Sequence, residues 1–181
     1  MWWALTMKKI SLEAYHFEPS GAQKNNWREL ILDYFKSAPE GQKTSFKESN
    51  NDPDKMMEKT YLGYLAEIEV LNRLKEKNPD QNWHFADDDH GYFILGPTND
   101  LPDLTNDYIT VEVKQWYRPC KFWFTTKYDY SVEKAWDKKF HGADYVITYW
   151  LDDKSYKIIS RENFIKKAVK YYDGKYVYRG E

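Results

Sequence analysis

A single cysteine, Cys120, among 181 residues removes two kinds of scaffold at once. It permits neither an internal disulfide nor a cysteine-based zinc site, and four scattered histidines do not make up the deficit. A reducing, cytoplasmic compartment is therefore expected, and structural zinc is not. No apolar run approaches the length that spans a bilayer, and mean hydropathy is −0.88, so no transmembrane helix is expected. The opening Met1-Trp2-Trp3-Ala4-Leu5-Thr6-Met7-Lys8-Lys9 lacks the charged-then-apolar order of a signal peptide, and Met7 is an alternative initiator. Excess charge of either sign is missing too. Lys+Arg 27 against Asp+Glu 29 leaves a net charge of −2, so the chain is not a polycation that coats nucleic acid, and any such contact has to be local.

What the sequence has in abundance is aromatic rings: 8 Trp, 16 Tyr and 9 Phe make up 18% of the residues. Core and half-buried strand positions are their usual use, and base-stacking surfaces the rarer one. The length suits one domain over residues 1–181, with a core at 55–151, an N-terminal helix and polar loop at 1–54 and a C-terminal extension at 152–181.

Periodicity gives a mixed α/β order. Asn26 followed by Glu29 resembles a capping box, and Trp27, Leu30, Ile31, Tyr34 and Phe35 recur at helical spacing until Pro39 and Gly41. Residues 37–54 are polar and read as a long loop, a candidate flap. Lys55 to Lys77 reads as a long second helix ended by Asn78-Pro79. Trp83–Ala86, Tyr92–Leu95, Tyr108–Trp116 and Phe122–Thr126 then read as a meander of strands. Ser131 caps a helix burying Val132, Ala135, Trp136 and Phe140 and ending at Gly142, and Tyr145–Leu151 reads as a central strand. Tyr156–Ile159 pairs back across Asp152-Asp153-Lys154, Ser160 caps a helix through Val169, and Asp173-Gly174 signals a hairpin.

Chemistry concentrates in one stretch. Pro102-Asp103 is followed, after eight intervening residues, by Glu112-Val113-Lys114 inside the strongest strand signal. Strand alternation puts Ile109, Val111 and Val113 on one face and Thr110, Glu112, Lys114 and Trp116 on the other. The turn-forming Thr105-Asn106-Asp107 can fold Asp103 back beside that strand, so that two carboxylates and an ammonium converge. Such a set suits a hard divalent cation at a phosphodiester: the acids supply oxygen ligands, and the lysine orients or deprotonates water or neutralises transition-state charge.

Pro102-Asp103 with Glu112-Val113-Lys114 resembles the signature of the PD-(D/E)xK nuclease superfamily. The context runs in the superfamily's order over about residues 55 to 151: an acidic helix, Glu-x-Lys inside a strand, then a helix and a further buried strand. The resemblance implies a restriction-endonuclease-like core, a mixed central β-sheet flanked by helices, here carrying an N-terminal helix and a C-terminal helix-hairpin extension. It implies Mg²⁺ or Mn²⁺ as cofactor, with Asp103 and Glu112 as metal ligands and Lys114 at the attacking water. It also implies an acid from the preceding helix, Glu67 or Glu69. At 100° per residue Glu67 falls with Val70, Leu71 and Leu74 on the face that should meet the sheet, whereas Glu69 falls with Asn72, Arg73 and Glu76, so Glu67 is the expected ligand.

Gln115 is a candidate accessory residue. Lys134, Lys138 and Lys139, with Lys121 and Lys127, are candidate phosphate contacts, and Trp116 and Trp123 candidate base contacts. Asp87-Asp88-Asp89-His90 lacks the Gly and terminal Glu of a calcium loop and reads as a solvated turn, and Cys120 has no nucleophile signature around it. The expected activity is a metal-dependent DNA endonuclease, with a homodimer where both strands of a duplex are cut. The alternatives are a non-catalytic nucleic-acid or protein interaction module on the same scaffold, and an RNA-cleaving toxin or processing nuclease.

Overall fold

The computed structural model describes residues 8–17, 20–98, 100–115, 122–126, 131–170 and 175–179, with the backbone alone at 122–126 and 179. In chain order the elements are β1 (Lys8–Ser11), α1 (Leu12–His16), α2 (Gly21–Ser37), α3 (Thr44–Glu48) and α4 (Pro53–Lys77). Five strands follow: β2 (His84–Phe85), β3 (Tyr92–Leu95), β4 (Leu104–Thr105), β5 (Thr110–Gln115) and β6 (Phe122–Thr126). Then come α5 (Val132–Phe140), β7 (Tyr145–Tyr149), β8 (Tyr156–Ser160), α6 (Arg161–Lys167), β9 (Val169–Lys170) and β10 (Lys175–Arg179). None of the described helices is long and apolar enough to cross a membrane.

The chain divides into two compact units, Met1–Tyr64 with Asp89–Asn99 and Leu65–Asp88 with Asp100–Glu181. In the first, β1 pairs antiparallel with β3, from Lys8 opposite Leu95 to Ser11 opposite Tyr92. Helix α2 starts earlier than the Asn26 signal predicts, because the Ser20 hydroxyl accepts the Gln23 N–H at 3.4 Å and no breaker separates Ser20 from the apolar stripe. Asn26 lies inside the helix. The stretch 37–54, expected as loop, holds a 3₁₀ turn at Glu40–Gln42 and α3. Its one aromatic residue, Phe46, is buried and stacks on Phe35 with ring centroids 4.4 Å apart, which anchors an otherwise polar segment.

The second unit is a mixed α/β structure with a central sheet flanked by helices. Its five strands run β2-β4-β5-β7-β8, antiparallel except where β5 meets β7 in parallel, from Val111 opposite Tyr145 to Gln115 opposite Tyr149. Alternation along the strands explains both layers. Val111, Val113, Ile147 and Tyr149 point to one face, where Ala66, Val70 and Leu71 of α4 cover them together with Trp83 and Leu104. Val146 and Ile159 point to the other, against Trp136 and Phe140 of α5 and Phe164 of α6. Fully burying each such side chain is worth about 1.5–3 kcal/mol, enough to hold both faces.

The expected meander is not a single sheet. Strand β3 belongs to the first unit, and β6 pairs with β10, which pairs with β9, in a separate three-stranded sheet. Strand propensity marks an extended segment without naming its partner, and both partners here are distant in sequence. Strand β7 stops at Tyr149, where the Trp150 N–H turns to the Ser155 carbonyl at 3.0 Å. Helix α6, capped as expected by Ser160, ends at Lys167 rather than Val169 because Val169 is taken into the ladder with β10. Asp173-Gly174 lies outside the described residues.

Candidate active site

The site is built on the β4–β5 hairpin. Asn106 is buried at its turn: Oδ1 accepts the N–H groups of Tyr108 (3.1 Å) and Ile109 (2.8 Å), and Nδ2 donates to Gln81 Oε1 at 2.8 Å. Asp107 takes the left-handed φ of 73°, a conformation its short polar side chain tolerates. This turn sets Leu104 opposite Val111, so that Asp103 arrives one step further on, beside Glu112. The Asp103 carbonyl accepts the Ala86 N–H at 3.0 Å, and its carboxylate Oδ2 accepts the Val113 N–H at 2.7 Å. Backbone and side chain are thus tied to the strands on either side.

Glu112 and Lys114 share the face opposite Val111 and Val113. Glu112 is 1% exposed, and its Oε1 accepts a hydrogen bond from the Lys114 ammonium. Oε2 is buried and makes no hydrogen bond. Unpartnered carboxylate oxygens are costly inside a protein and ask for an explanation. The Thr148 hydroxyl, on β7 in register with Lys114, is in the same condition: Thr148 is 1% exposed and its Oγ1 makes no hydrogen bond. His141, the C-cap of α5, brings Nε2 to 3.8 Å from Glu112 Oε1.

The charges of this cluster shift one another. Burial pushes the Glu67 carboxyl up to about 7, with the Lys114 charge pulling it down and the Glu112 charge raising it further. Burial likewise raises the Asp103 carboxyl well above the ordinary carboxylate range, reinforced by the negative charges of Glu112 and Glu67 and opposed by Lys114 and the Val113 N–H. For Lys114 burial acts downward, but the charges of Glu112 and Asp103 outweigh it and the net shift is up. It stands as an ammonium, a hydrogen-bond donor.

Asp103, Glu112, Lys114 and Glu67 are therefore brought within electrostatic reach. Glu69 is not part of this group: it is 38% exposed, accepts from the Tyr149 hydroxyl at 3.4 Å and lies 3.8 Å from the Lys154 ammonium. Gln115 lies on the α4 face of β5, opposite Tyr149 in register and away from Glu112. Lys134, Lys138 and Lys139 are exposed on α5. Asp87-Asp88-Asp89-His90 leads into a turn, with Asp89 accepting from Lys9. Trp116, Cys120, Lys121, Lys127 and the Trp123 side chain lie outside the described residues.

Among the described residues no group of three or more His, Cys, Asp or Glu side chains stands ready to hold a metal ion. The donor chemistry nevertheless fits a hard divalent cation: three carboxylates, one with a buried free oxygen, beside an ammonium that neutralises part of their charge. Two residues of this neighbourhood carried weak signals in the sequence. Thr148 is the lone aliphatic hydroxyl in the apolar run 145–151, and His141 directly precedes the helix-ending Gly142.

No protein-family model matches the sequence, and no curated protein matches it either.

Proposed function

We propose that this chain is a Mg²⁺- or Mn²⁺-dependent nuclease that hydrolyses phosphodiester bonds, a DNA endonuclease on a restriction-endonuclease-like core. The observation that carries the reading is the clustering of Asp103, Glu112 and Glu67 around one ammonium, Lys114, with Glu112 Oε2 buried and unbonded. A structural ion pair needs one acid. Two further acids, both raised by burial and by the charge of Glu112, are unfavourable to the fold, and such arrangements are concentrated at functional sites.

In this reading Asp103, Glu112 and Glu67 hold the cation. When bound, it supplies Lewis acidity at the phosphodiester and a water of lowered pKa. The Val113 N–H fixes Asp103 so that its other oxygen, Oδ1, is the one directed to the ligand. Lys114, held cationic, donates to the attacking water or to a phosphate oxygen and offsets charge that builds up in the transition state. The exposed Lys134, Lys138 and Lys139 are suited to phosphates along the strand. Cutting both strands of a duplex would call for two copies of the chain.

The absence of a ready metal-holding group among the described residues favours a second reading, a non-catalytic nucleic-acid or protein interaction module in which Lys114–Glu112 is a structural pair. Incubating the purified chain with duplex DNA, branched DNA, single-stranded DNA and RNA, in Mg²⁺, Mn²⁺ or EDTA, separates the two. Cation-dependent cleavage lost in Asp103→Asn supports the nuclease, and the preferred substrate decides between DNA and RNA. Absence of cleavage on every substrate promotes the module.

A further inference from the structure

We infer that His141 contacts the substrate of this site, donating a hydrogen bond from its imidazole to a non-bridging oxygen of the phosphodiester held beside Glu112 and Lys114. The inference rests on the nuclease reading and adds to it a residue from outside the Asp-Glu-Lys signature.

Position is the first ground. Nε2 lies 3.8 Å from Glu112 Oε1, too far for a hydrogen bond, and that oxygen is already served by Lys114. The imidazole is 32% exposed where the Glu112 side chain is 2% exposed, so the ring keeps access to solvent beside the buried acid and can meet a phosphodiester that approaches it. The adjoining Lys138 and Lys139 in the last turn of α5 place further positive charge at the same helix end.

Backbone conformation is the second ground. His141 sits at φ 54° and ψ 31°, the left-handed region where a C-cap ordinarily takes glycine or asparagine. The conformation is held from several sides: the His141 N–H donates to the Asp137 carbonyl, Gly142 N–H to the same carbonyl at 3.1 Å, and Ala143 N–H to the Phe140 carbonyl at 3.0 Å. The Trp136 indole N–H then closes on the Ala143 carbonyl at 2.8 Å. A glycine would satisfy every one of these bonds without the Cβ penalty. None of these hydrogen bonds needs the imidazole, which stands instead beside the one acid of the site that is 1% exposed. A charged imidazole donates from both nitrogens, and a neutral one donates from Nε2 in the tautomer that carries its proton there.

The test is His141→Gly in the full chain, measured for thermal stability and for single-turnover cleavage of the oligonucleotide that the unsubstituted protein cuts fastest. A thermal midpoint equal to or above that of the unsubstituted protein is expected, together with a rate about 30- to 100-fold lower and KM within about threefold. A second measurement places one phosphorothioate, in either diastereomer, at the cut bond, with Mn²⁺ to suppress the cation's own preference against sulfur. The unsubstituted protein should favour one diastereomer by about tenfold and the variant neither, since the donor to that oxygen is gone. A variant that cuts at the unsubstituted rate, keeps the diastereomer preference, or loses stability along with activity overturns the inference while the nuclease reading stands. Absence of cleavage by the unsubstituted protein overturns both.

Discussion

The Asp103 carboxylate accepts the Val113 backbone N–H at 2.7 Å, the amide that immediately follows Glu112. One carboxylate oxygen is thereby committed to the neighbouring strand, which makes Asp103 both a side-chain tie to β5 and a candidate cation ligand.

Asp103→Asn separates these two roles. An amide oxygen can still accept the Val113 N–H, and the change removes a charge that Glu112 and Glu67 oppose, so stability should hold or rise slightly. Cleavage should fall by more than the ~10- to 100-fold typical of losing an outer-shell partner of a metal ligand. Chemical denaturation beside a cleavage assay checks both. Full activity in the folded variant would remove Asp103 from the site.

Glu67 and Glu69 make a control pair two residues apart on α4. Glu67 interacts electrostatically with Lys114 and Glu112, whereas Glu69 accepts from Tyr149 and faces Lys154. Glu67→Gln should lower cleavage at least about 10-fold and Glu69→Gln leave it within about twofold. The reverse pattern in matched rate measurements would assign the acid to the other stripe of the helix.

The alternation of β5 was legible because valines at 111 and 113 against Glu112 and Lys114 leave only one way to seat the strand. The phase of α4 was legible for the same reason, with Ala66, Val70 and Leu71 naming the buried stripe. Partners were not legible. Tyr92–Leu95 is plainly extended, yet nothing local says that Lys8–Ser11 rather than a neighbouring strand will pair with it. Phe46 was hidden in a polar stretch because one aromatic residue carries no periodicity, although its stacking on Phe35 anchors the segment. His141 was hidden because a left-handed C-cap is a backbone property that a following glycine, Gly142, only hints at.

The carboxylate cluster should make stability fall as pH rises when divalent cations are absent. Glu67 is pushed up to about 7 from an ordinary 4.5, so between those values the unfolded chain has released a proton that the folded chain keeps. The folded state binds more protons there, and stability declines by at most about 1.4 kcal/mol per pH unit for this group, levelling off above pH 7. Asp103, also raised, acts in the same direction. Denaturant melts from pH 4.5 to 8 in EDTA should show the decline, Glu67→Gln should flatten it, and Mg²⁺ should offset it at the alkaline end by replacing the protons. A flat profile in EDTA would mean that Glu67 is better solvated than its surroundings indicate.

Thr148 offers the sharpest separation of stability from activity in the sheet itself. Thr148 is 1% exposed and stands in register with Lys114, and its hydroxyl makes no hydrogen bond. A buried hydroxyl without a partner costs about 1–3 kcal/mol, and valine has nearly its shape without the cost. Thr148→Val should therefore raise the thermal midpoint, by about 2–4 °C for about 1 kcal/mol in a chain of this length. If the hydroxyl serves to hold a substrate oxygen or a water beside Lys114, the same variant should cut about 3- to 10-fold more slowly, because one donor toward the ligand has been lost while the charges remain. Differential scanning calorimetry and single-turnover cleavage on the same preparation test the two halves together. A less stable Thr148→Val would mean that the hydroxyl finds a partner within the fold, and a more stable variant with unchanged rate would confine Thr148 to the core.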